Sequence, residues 1–163
     1  MPNRESLLAG RNVQALSENE VRRVYNTFLG LEKSLPVRYV PGGRTVFRVP
    51  AQGEDGGDCE VTFGEDIYPG NAVIDPNSSL SMQAAVAHEV THYFRWKDKT
   101  ELEQPSLAAI DEALTSLEAI LRFPRDLNDH DTRQFVSDAI QRLQLFAQAQ
   151  ADIRQSTDLT DVS

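Results

Sequence analysis

Two histidines and a glutamate form the closest group of chemically active residues in this sequence. His88, Glu89 and His92 stand in the order His-Glu-Val-Thr-His, and the chain has three histidines in all. In a helix, residues four apart project from the same face, so both imidazoles can bind one metal ion. The glutamate after the first histidine points to the flank of that face, near a metal-bound water. This arrangement is typical of zinc hydrolysis.

The residues around the two histidines have the spacing of an amphipathic helix. At about 100° per residue, the large apolar residues gather on the side opposite His88 and His92. They are Met82, Val86, Val90, Tyr93 and Phe94. The small residues Ala84, Ala85 and Thr91 flank the histidines. The pattern predicts a helix with one face in the core and a separate face for chemistry, which another backbone can approach.

A second helix has the same design. Pro105 is typical of a helix start, and Phe123-Pro124 of a helix end. Its large apolar residues lie opposite Glu112; they are Leu107, Ile110, Leu114, Leu117 and Leu121. Glu112 itself lies in a stripe of small residues, formed by Ala108, Ala109, Thr115, Ser116 and Ala119. Two small-residue faces can pack closely around a metal, so we predict Glu112 as the third ligand, with Glu101, Asp111 and Glu118 as rivals.

The three predicted ligands resemble those of the gluzincin metallopeptidases. In that family the third zinc ligand is a glutamate on the helix that follows HExxH. Here Glu112 lies 20 residues after His92, within Ile-Asp-Glu-Ala-Leu-Thr-Ser. This spacing and the Asp-Glu-Ala context are similar to the second motif of thermolysin-like enzymes. The resemblance covers residues 72–124 and implies that His88, His92 and Glu112 bind zinc, with Glu89 as catalytic base.

The sequence differs from the thermolysin pattern at Ser116, where an acidic residue would be expected to orient one of the histidines. Asp111, Glu118 or a backbone carbonyl would have to take that role. A second similarity, to small intracellular ImmA/IrrE-type proteases, is carried by AVIDPNSSLSMQAAVAHEVTH and by LEAILRFP. Since large gluzincins carry a further helical domain, this chain of 163 residues resembles a reduced form with little beyond the catalytic core.

Composition predicts one soluble domain. A chain of 163 residues with 40% hydrophobic content is long enough to bury one core. We assign residues 1–155 to a single metallopeptidase-like domain and residues 156–163 to a disordered polar tail.

Composition also limits the cellular location and the kinds of partner that we expect for this chain. The N-terminal segment has no apolar run typical of a signal peptide, and no later segment approaches a membrane span. Cys59 is the only cysteine, which excludes an internal disulfide. We therefore expect a cytoplasmic protein that does not act at a membrane. The formal charge of −9 offers no basic stripe for phosphates and argues against nucleic-acid binding.

Local signals place the remaining elements of an α+β fold. A capping box at Ser17–Glu20 predicts a first helix over residues 18–34. Residues 37–40 and 45–49, joined by Pro41-Gly42-Gly43, predict a hairpin. Further strands are expected at 59–63 and 72–75. The predicted architecture is a minimal zincin-like core: an N-terminal helix, a small, mostly antiparallel sheet of three or four strands, the HExxH helix, the Glu112 helix and a C-terminal helix.

The predicted ligand set implies a hydrolytic mechanism. Three protein ligands leave one position of a tetrahedral zinc ion for water, whose pKa falls to about 7. Glu89 can take the proton of that water and pass it to the leaving amine of a peptide. His130, which aspartates flank on both sides, is the candidate donor to the developing oxyanion. Tyr68 and Tyr93 are the alternatives, although Tyr93 falls on the core face of its helix.

Substrate can bind at the strand before the HExxH helix. If Ala72, Val73 and Ile74 form a sheet edge, an extended peptide can pair with them. An ordinary capped edge is the alternative interpretation. Cys59 could serve as a metal ligand, as in peptide deformylases, but a buried strand residue is the simpler interpretation.

These features together predict a zinc metallopeptidase that cleaves a restricted intracellular protein or peptide. The restriction is inferred from size, since a minimal domain has few loops that could form subsites. One alternative is a non-catalytic zinc-binding module that binds a protein partner, and another is a zinc hydrolase of a non-peptide amide. Glu89 distinguishes catalysis from a purely structural site, which has no need of it. The sequence leaves open whether a regulatory or activating protein is required.

Overall fold

The computed structural model describes residues 10–49, 59–70 and 79–160 of the chain and has the predicted α+β class. Its helices and strands, in chain order, are α1 (Glu18–Leu31), β1 (Val37–Tyr39), β2 (Val46–Arg48), β3 (Glu60–Phe63), α2 (Met82–Lys97), α3 (Ala108–Arg122) and α4 (Asp129–Thr160). Short 3-10 helices occupy Glu65–Ile67 and Pro105–Leu107. Within these residues, no helix has both the length and the apolar character needed to cross a membrane.

The start of α1 confirms the predicted capping box. The Ser17 hydroxyl accepts a hydrogen bond from the Glu20 backbone N–H at 3.2 Å, and the Glu20 carboxylate accepts one from the Ser17 N–H at 2.9 Å. The helix ends at Leu31, earlier than predicted. Val24 and Phe28 are buried on its inner face, one turn apart, and attach α1 to the core.

The predicted hairpin of β1 and β2 is wrong. The strand order is β1-β3-β2, so β3 lies between the two strands that were expected to pair. β3 runs parallel to β1 and antiparallel to β2, which makes the three described strands a mixed sheet and not a mostly antiparallel one. Burial explains the order, since Val61, Thr62 and Phe63 of β3 are all buried and a central strand is covered on both sides.

The turn that was expected to close the hairpin packs instead against the end of β3. The Glu65 carboxylate accepts hydrogen bonds from the Gly42 N–H at 2.9 Å and from the Tyr39 hydroxyl at 3.0 Å. A Cβ atom at Gly64 would come within 1.9 Å of the Gly43 carbonyl oxygen, so this close approach requires glycine. These contacts lead the chain past β3, and β2 then pairs with its far side.

Helices α2, α3 and α4 form the larger part of the fold. Pro105 begins the short 3-10 helix before α3, and α3 ends at Arg122 with Phe123 as its C-cap, as predicted. Near the start of α4, the Asp131 carboxylate accepts hydrogen bonds from the backbone N–H and the hydroxyl of Ser81, at 3.1 and 2.7 Å. Ser81 is the N-cap of α2, so α4 fixes the first turn of the helix that carries the histidines.

The small-residue side of α3 packs closely, as predicted, but the expected burial of its leucines is wrong. Its buried residues are small, namely Ala113, Thr115, Ser116 and Ala119. The leucines expected to face the core are 40% exposed at Leu114, 36% at Leu117 and 80% at Leu121. The stripe of small residues is therefore the side that packs, because small side chains let neighbouring helices approach closely.

Two further predictions concern the end of the chain and the strand before α2. Helix α4 continues through residues 156–160, which the sequence assigned to a polar tail, and the described side chains from 151 to 158 are exposed. The predicted strand at 72–75 lies outside the described residues, and with it the predicted substrate contacts at Ala72, Val73 and Ile74.

Candidate metal centre

The structure brings His88, His92 and Glu112 together. Glu112 Oε2 lies 3.0 Å from His88 Nε2 and 3.2 Å from His92 Nε2. The three potential ligand atoms all lie within 4.8 Å of one another. Two ligands about 2.1 Å from a tetrahedral zinc ion are about 3.4 Å apart. The spacing of the three side chains is therefore close to what one small metal ion requires.

Close packing of α2 against α3 produces this spacing. Ala84 and Ala87 on α2 and Ala113 on α3 are buried, so the two backbones can come near each other. The buried threonines do not obstruct this contact. Thr91 donates its hydroxyl proton to the carbonyl of Ala87 at 2.7 Å, and Thr115 donates in the same way to its own helix, to the carbonyl of Asp111, at 2.8 Å.

The charges of Glu112 and His92 are strongly coupled. Burial lowers the pKa of His92, but the charge and hydrogen bond of Glu112, together with the charges of Glu89 and Asp111, outweigh this effect and raise the pKa to about 9. Burial raises the pKa of Glu112, but the two imidazoles outweigh it and hold that pKa well below its usual range. The side chains are 12% exposed at His92 and 22% exposed at Glu112. The site is thus sheltered enough for its charges to interact strongly.

Glu89 lies beside this group without belonging to it. Burial raises the pKa of its carboxyl, and the nearby imidazoles and a hydrogen bond from the Phe47 backbone N–H only partly oppose that effect. Phe47 is in the middle of β2, so Glu89 lies near the sheet while α3 supplies the third metal-ligand candidate. Glu89 and the three candidates line one cavity of about 460 Å³.

The same cavity is bordered by β2 and by one residue of α4. Val46, Phe47 and Arg48 form the wall on the sheet side, and Arg142 reaches the cavity from α4. Among the described strands, β2 is an edge strand of the sheet. A molecule bound in this cavity would therefore lie between the sheet and the helices.

The rival ligands have other contacts. Asp111 accepts hydrogen bonds from Arg95 at 2.6 Å and from the Leu102 N–H at 2.9 Å. Glu118 forms ion pairs with Arg122 at 3.3 Å and, more distantly, with Arg95 at 4.0 Å. Glu101 forms a second close group with His92 and Asp111, which shares a ligand with the first and contains a carboxylate already bonded to Arg95. Glu112 remains the best partner of the two histidines.

The predicted oxyanion donors do not line the cavity. His130 is exposed, and its Nε2 lies 3.2 Å from the carbonyl oxygen of Ser79. The Tyr68 hydroxyl donates to the carbonyl of Glu20 at 2.7 Å. Tyr93 is buried in the core, as its place on the helix predicted. Cys59 is also buried in the core, outside both groups of potential metal ligands among the described residues.

Sequence reasoning noted position 116 but missed Asp138 and Phe135, the residues of α4 that lie behind His88. Ser116 Oγ lies 3.3 Å from His88 Nδ1, and Ser116 donates to Asp138 at 3.0 Å. The ring of Phe135 stacks on His88 at a centroid distance of 6.1 Å and an interplanar angle of 23°. The only available signal was helical spacing, since Phe135, Asp138 and Arg142 fall on one face of α4.

Protein-family models, curated proteins and solved structures were compared with this chain, and none of them matches it. Its function is therefore inferred from the site alone.

Proposed function

We propose that this chain is a zinc metallopeptidase of the gluzincin type. The observation that carries the proposal is the convergence of His88, His92 and Glu112 within 4.8 Å, in a cavity that Glu89 also lines. Two imidazoles and one carboxylate are the ligand set of a catalytic zinc site, whereas structural sites are typically rich in cysteine. The donor set therefore fits zinc.

Each residue of the site has a distinct task in this proposal. When bound, zinc supplies a Lewis acid that activates water and polarises a carbonyl group. His88, His92 and Glu112 hold the ion. Glu89 does not belong to the ligand group, so its carboxylate is available to take the proton of the attacking water and return it to the leaving amine. Phe47 of β2 lines the same cavity beside that carboxylate.

The proposed substrate is a restricted protein or peptide. The cavity between β2 and the helices is about 460 Å³, within the range of a ligand site that holds a few side chains. The proposed pairing of a peptide with residues 72–74 falls outside the described part of the chain and stays a prediction. Broad digestion of casein at low enzyme concentration would contradict the restricted specificity.

Metal content tests the proposal most directly. We expect about one zinc per chain in the purified wild type by elemental analysis. H88A and E112A should lose the metal because each removes one of three ligands. E89Q should keep it, and E101Q is the matched control for a carboxylate outside the main group. A wild type that is metal-free and cannot be reloaded with zinc would remove the peptidase proposal.

Activity separates an enzyme from a zinc-binding module. The zinc-loaded wild type and E89Q would be compared on a library of peptides with mass-spectrometric detection of the products. We expect E89Q to lose at least about 100-fold in turnover while it keeps its zinc, as for removal of a general base. Equal hydrolysis by both proteins would exclude Glu89 as the base.

A further inference from the structure

A second carboxylate acts on His88 from the side opposite the proposed metal. Ser116 Oγ on α3 lies 3.3 Å from His88 Nδ1 and 3.0 Å from Asp138 Oδ2 on α4. Ser116 is fully buried and Asp138 is 2% exposed, so water has little access to either group. The three side chains form a continuous line from α4 through α3 to α2.

The protons in this line determine which nitrogen of His88 carries hydrogen. A serine hydroxyl has one proton to donate, and an ionised carboxylate can only accept. The proton of Ser116 therefore points to Asp138, and a lone pair of its oxygen faces His88. A neutral imidazole beside that lone pair must carry its N–H at Nδ1. The free lone pair is then at Nε2, which is the atom that faces Glu112.

Other residues of α4 fix both ends of the line. Arg142 Nε donates to Asp138 Oδ2 at 2.9 Å, and the two side chains are only 11% and 3% exposed. This charge-assisted bond fixes the position of the carboxylate that accepts from Ser116. Phe135, on the same face of α4, stacks on the His88 ring and limits its rotation. Helix α4 thus controls both the plane and the tautomer of the imidazole.

We propose that Asp138 and Ser116 are positioning residues that hold His88 ready to bind the metal. This inference rests on the proposed zinc site. In the thermolysin pattern an acidic residue at position 116 would act directly on the histidine. Here a carboxylate from another helix acts through a serine hydroxyl. Asp111 and Glu118, which the sequence offered for this role, are engaged by Arg95.

The affinity for zinc tests this arrangement. S116A, D138N and the S116A/D138N double variant would be titrated with zinc against a chromophoric chelator. We expect each single variant to bind zinc about 10- to 100-fold more weakly, the usual effect of losing a partner that orients a metal-bound histidine. The double variant should bind about as weakly as the weaker single variant, because both changes interrupt the same line.

D131N is the matched control. Asp131 is another buried aspartate of α4, but it bonds to Ser81 and not to Ser116. We expect D131N to lower thermal stability with less than a tenfold change in zinc affinity. If D138N does not fold, S116A still tests the proposal, because it removes one hydroxyl from a stripe of small residues.

The tautomer of His88 can be observed directly. Because the chain has three histidines, their side-chain signals can be assigned in ¹H–¹⁵N spectra of the zinc-loaded protein. We expect a protonated Nδ1 for His88 in the wild type, and faster exchange of that proton with water in S116A.

The zinc titrations distinguish a failure of the proposed function from a failure of the positioning role. A wild type that binds no zinc would overturn the proposed function together with this inference. If the wild type binds zinc and H88A does not, while S116A and D138N bind it as the wild type does, only the positioning role is overturned. Additive losses in the double variant would overturn it as well.

Discussion

The two imidazoles that face Glu112 are held by different parts of the fold. His88 has Ser116 on its far nitrogen and Phe135 on its ring face, both brought there by the packing of α3 and α4. His92 lies in the field of Glu112, Glu89 and Asp111, which together raise its pKa. Both imidazoles share Glu112, but the contacts behind the His88 ring come from α3 and α4.

The sequence predicted the three residues that converge in this site and missed the α4 residues behind His88. His88 and His92 are identified by their spacing on one helix, and Glu112 by its place in a stripe of small residues. Those signals are local to α2 and α3. Asp138 belongs to a helix whose packing against α3 cannot be deduced from spacing within either helix. The convergence of His88, His92 and Glu112 was predictable for that reason, whereas the residues behind His88 were not, and metal binding itself stays a prediction.

Arg95 allows a prediction at the scale of one residue. It is 4% exposed and donates to Asp111 at 2.6 Å. Removing one partner of a buried pair leaves the other charge buried without compensation, so R95A should lower the free energy of unfolding by about 3 kcal/mol or more. Urea denaturation monitored by circular dichroism measures this change.

R38A is the matched control for that experiment. Arg38 pairs with Glu60 at a similar distance of 3.0 Å, but its side chain is 62% exposed. Exposed pairs contribute at most about 1 kcal/mol. Equal losses of stability in R95A and R38A would show that burial does not govern these two pairs.

At the scale of the elements, the positions of the helices along the chain were predicted more accurately than the order of the strands in the sheet. The capping box of α1 and the proline before α3 act on adjacent residues, and both predictions are confirmed. The strand order depends on contacts across the chain. The turn at 41–43 signalled a hairpin, but β3 is the most buried strand and takes the central position. The residues of the turn could not reveal that β3, and not β2, would pair with β1.

Helix α3 shows why a hydrophobic pattern does not identify the buried side. The pattern separated the leucines from the small residues correctly. Which side packs depends on how closely α2 and α4 approach, and small residues permit the closer contact. Ala119 is fully buried, whereas Leu121 is 80% exposed.

A pair of substitutions on α3 tests whether its small-residue side, and not its leucine side, is the packed side. A119L should destabilise the fold by about 1–3 kcal/mol, because added methylene groups have no space in a close contact between helices. L121A should change the free energy of unfolding by no more than about 0.5 kcal/mol, as expected for an exposed position. Chemical denaturation of both variants measures the two effects. A larger loss for L121A than for A119L would mean that the leucine side is the packed side.

At the scale of the whole molecule, the proposed metal centre lies where the sheet and the helices meet. Glu89 and Phe47 of β2 line one cavity, the histidines belong to α2 and Glu112 to α3, and the residues behind His88 come from α3 and α4. Because the site connects elements distant in sequence, its charges contribute to the stability of the fold as a whole. Removing the metal should therefore change the stability of the entire domain and its dependence on pH.

After zinc is removed with a chelator, stability should decline toward alkaline pH. The pKa of His92 is raised from 6.5 to about 9, so its stabilising contribution is complete below pH 6.5 and is lost as pH rises to 9. A shift of this size corresponds to a loss of about 3 kcal/mol across that range. The pKa of Glu112 is lowered, so its contribution is complete above pH 4.5 and is lost in more acidic solution. The chelated protein should thus be most stable between these limits, as measured by urea denaturation at a series of pH values.

Chelated H92Q serves as the control and should not show the loss of stability at alkaline pH. A chelated wild type that is equally stable at pH 6.5 and 9 would show that His92 and Glu112 are not coupled in the folded protein.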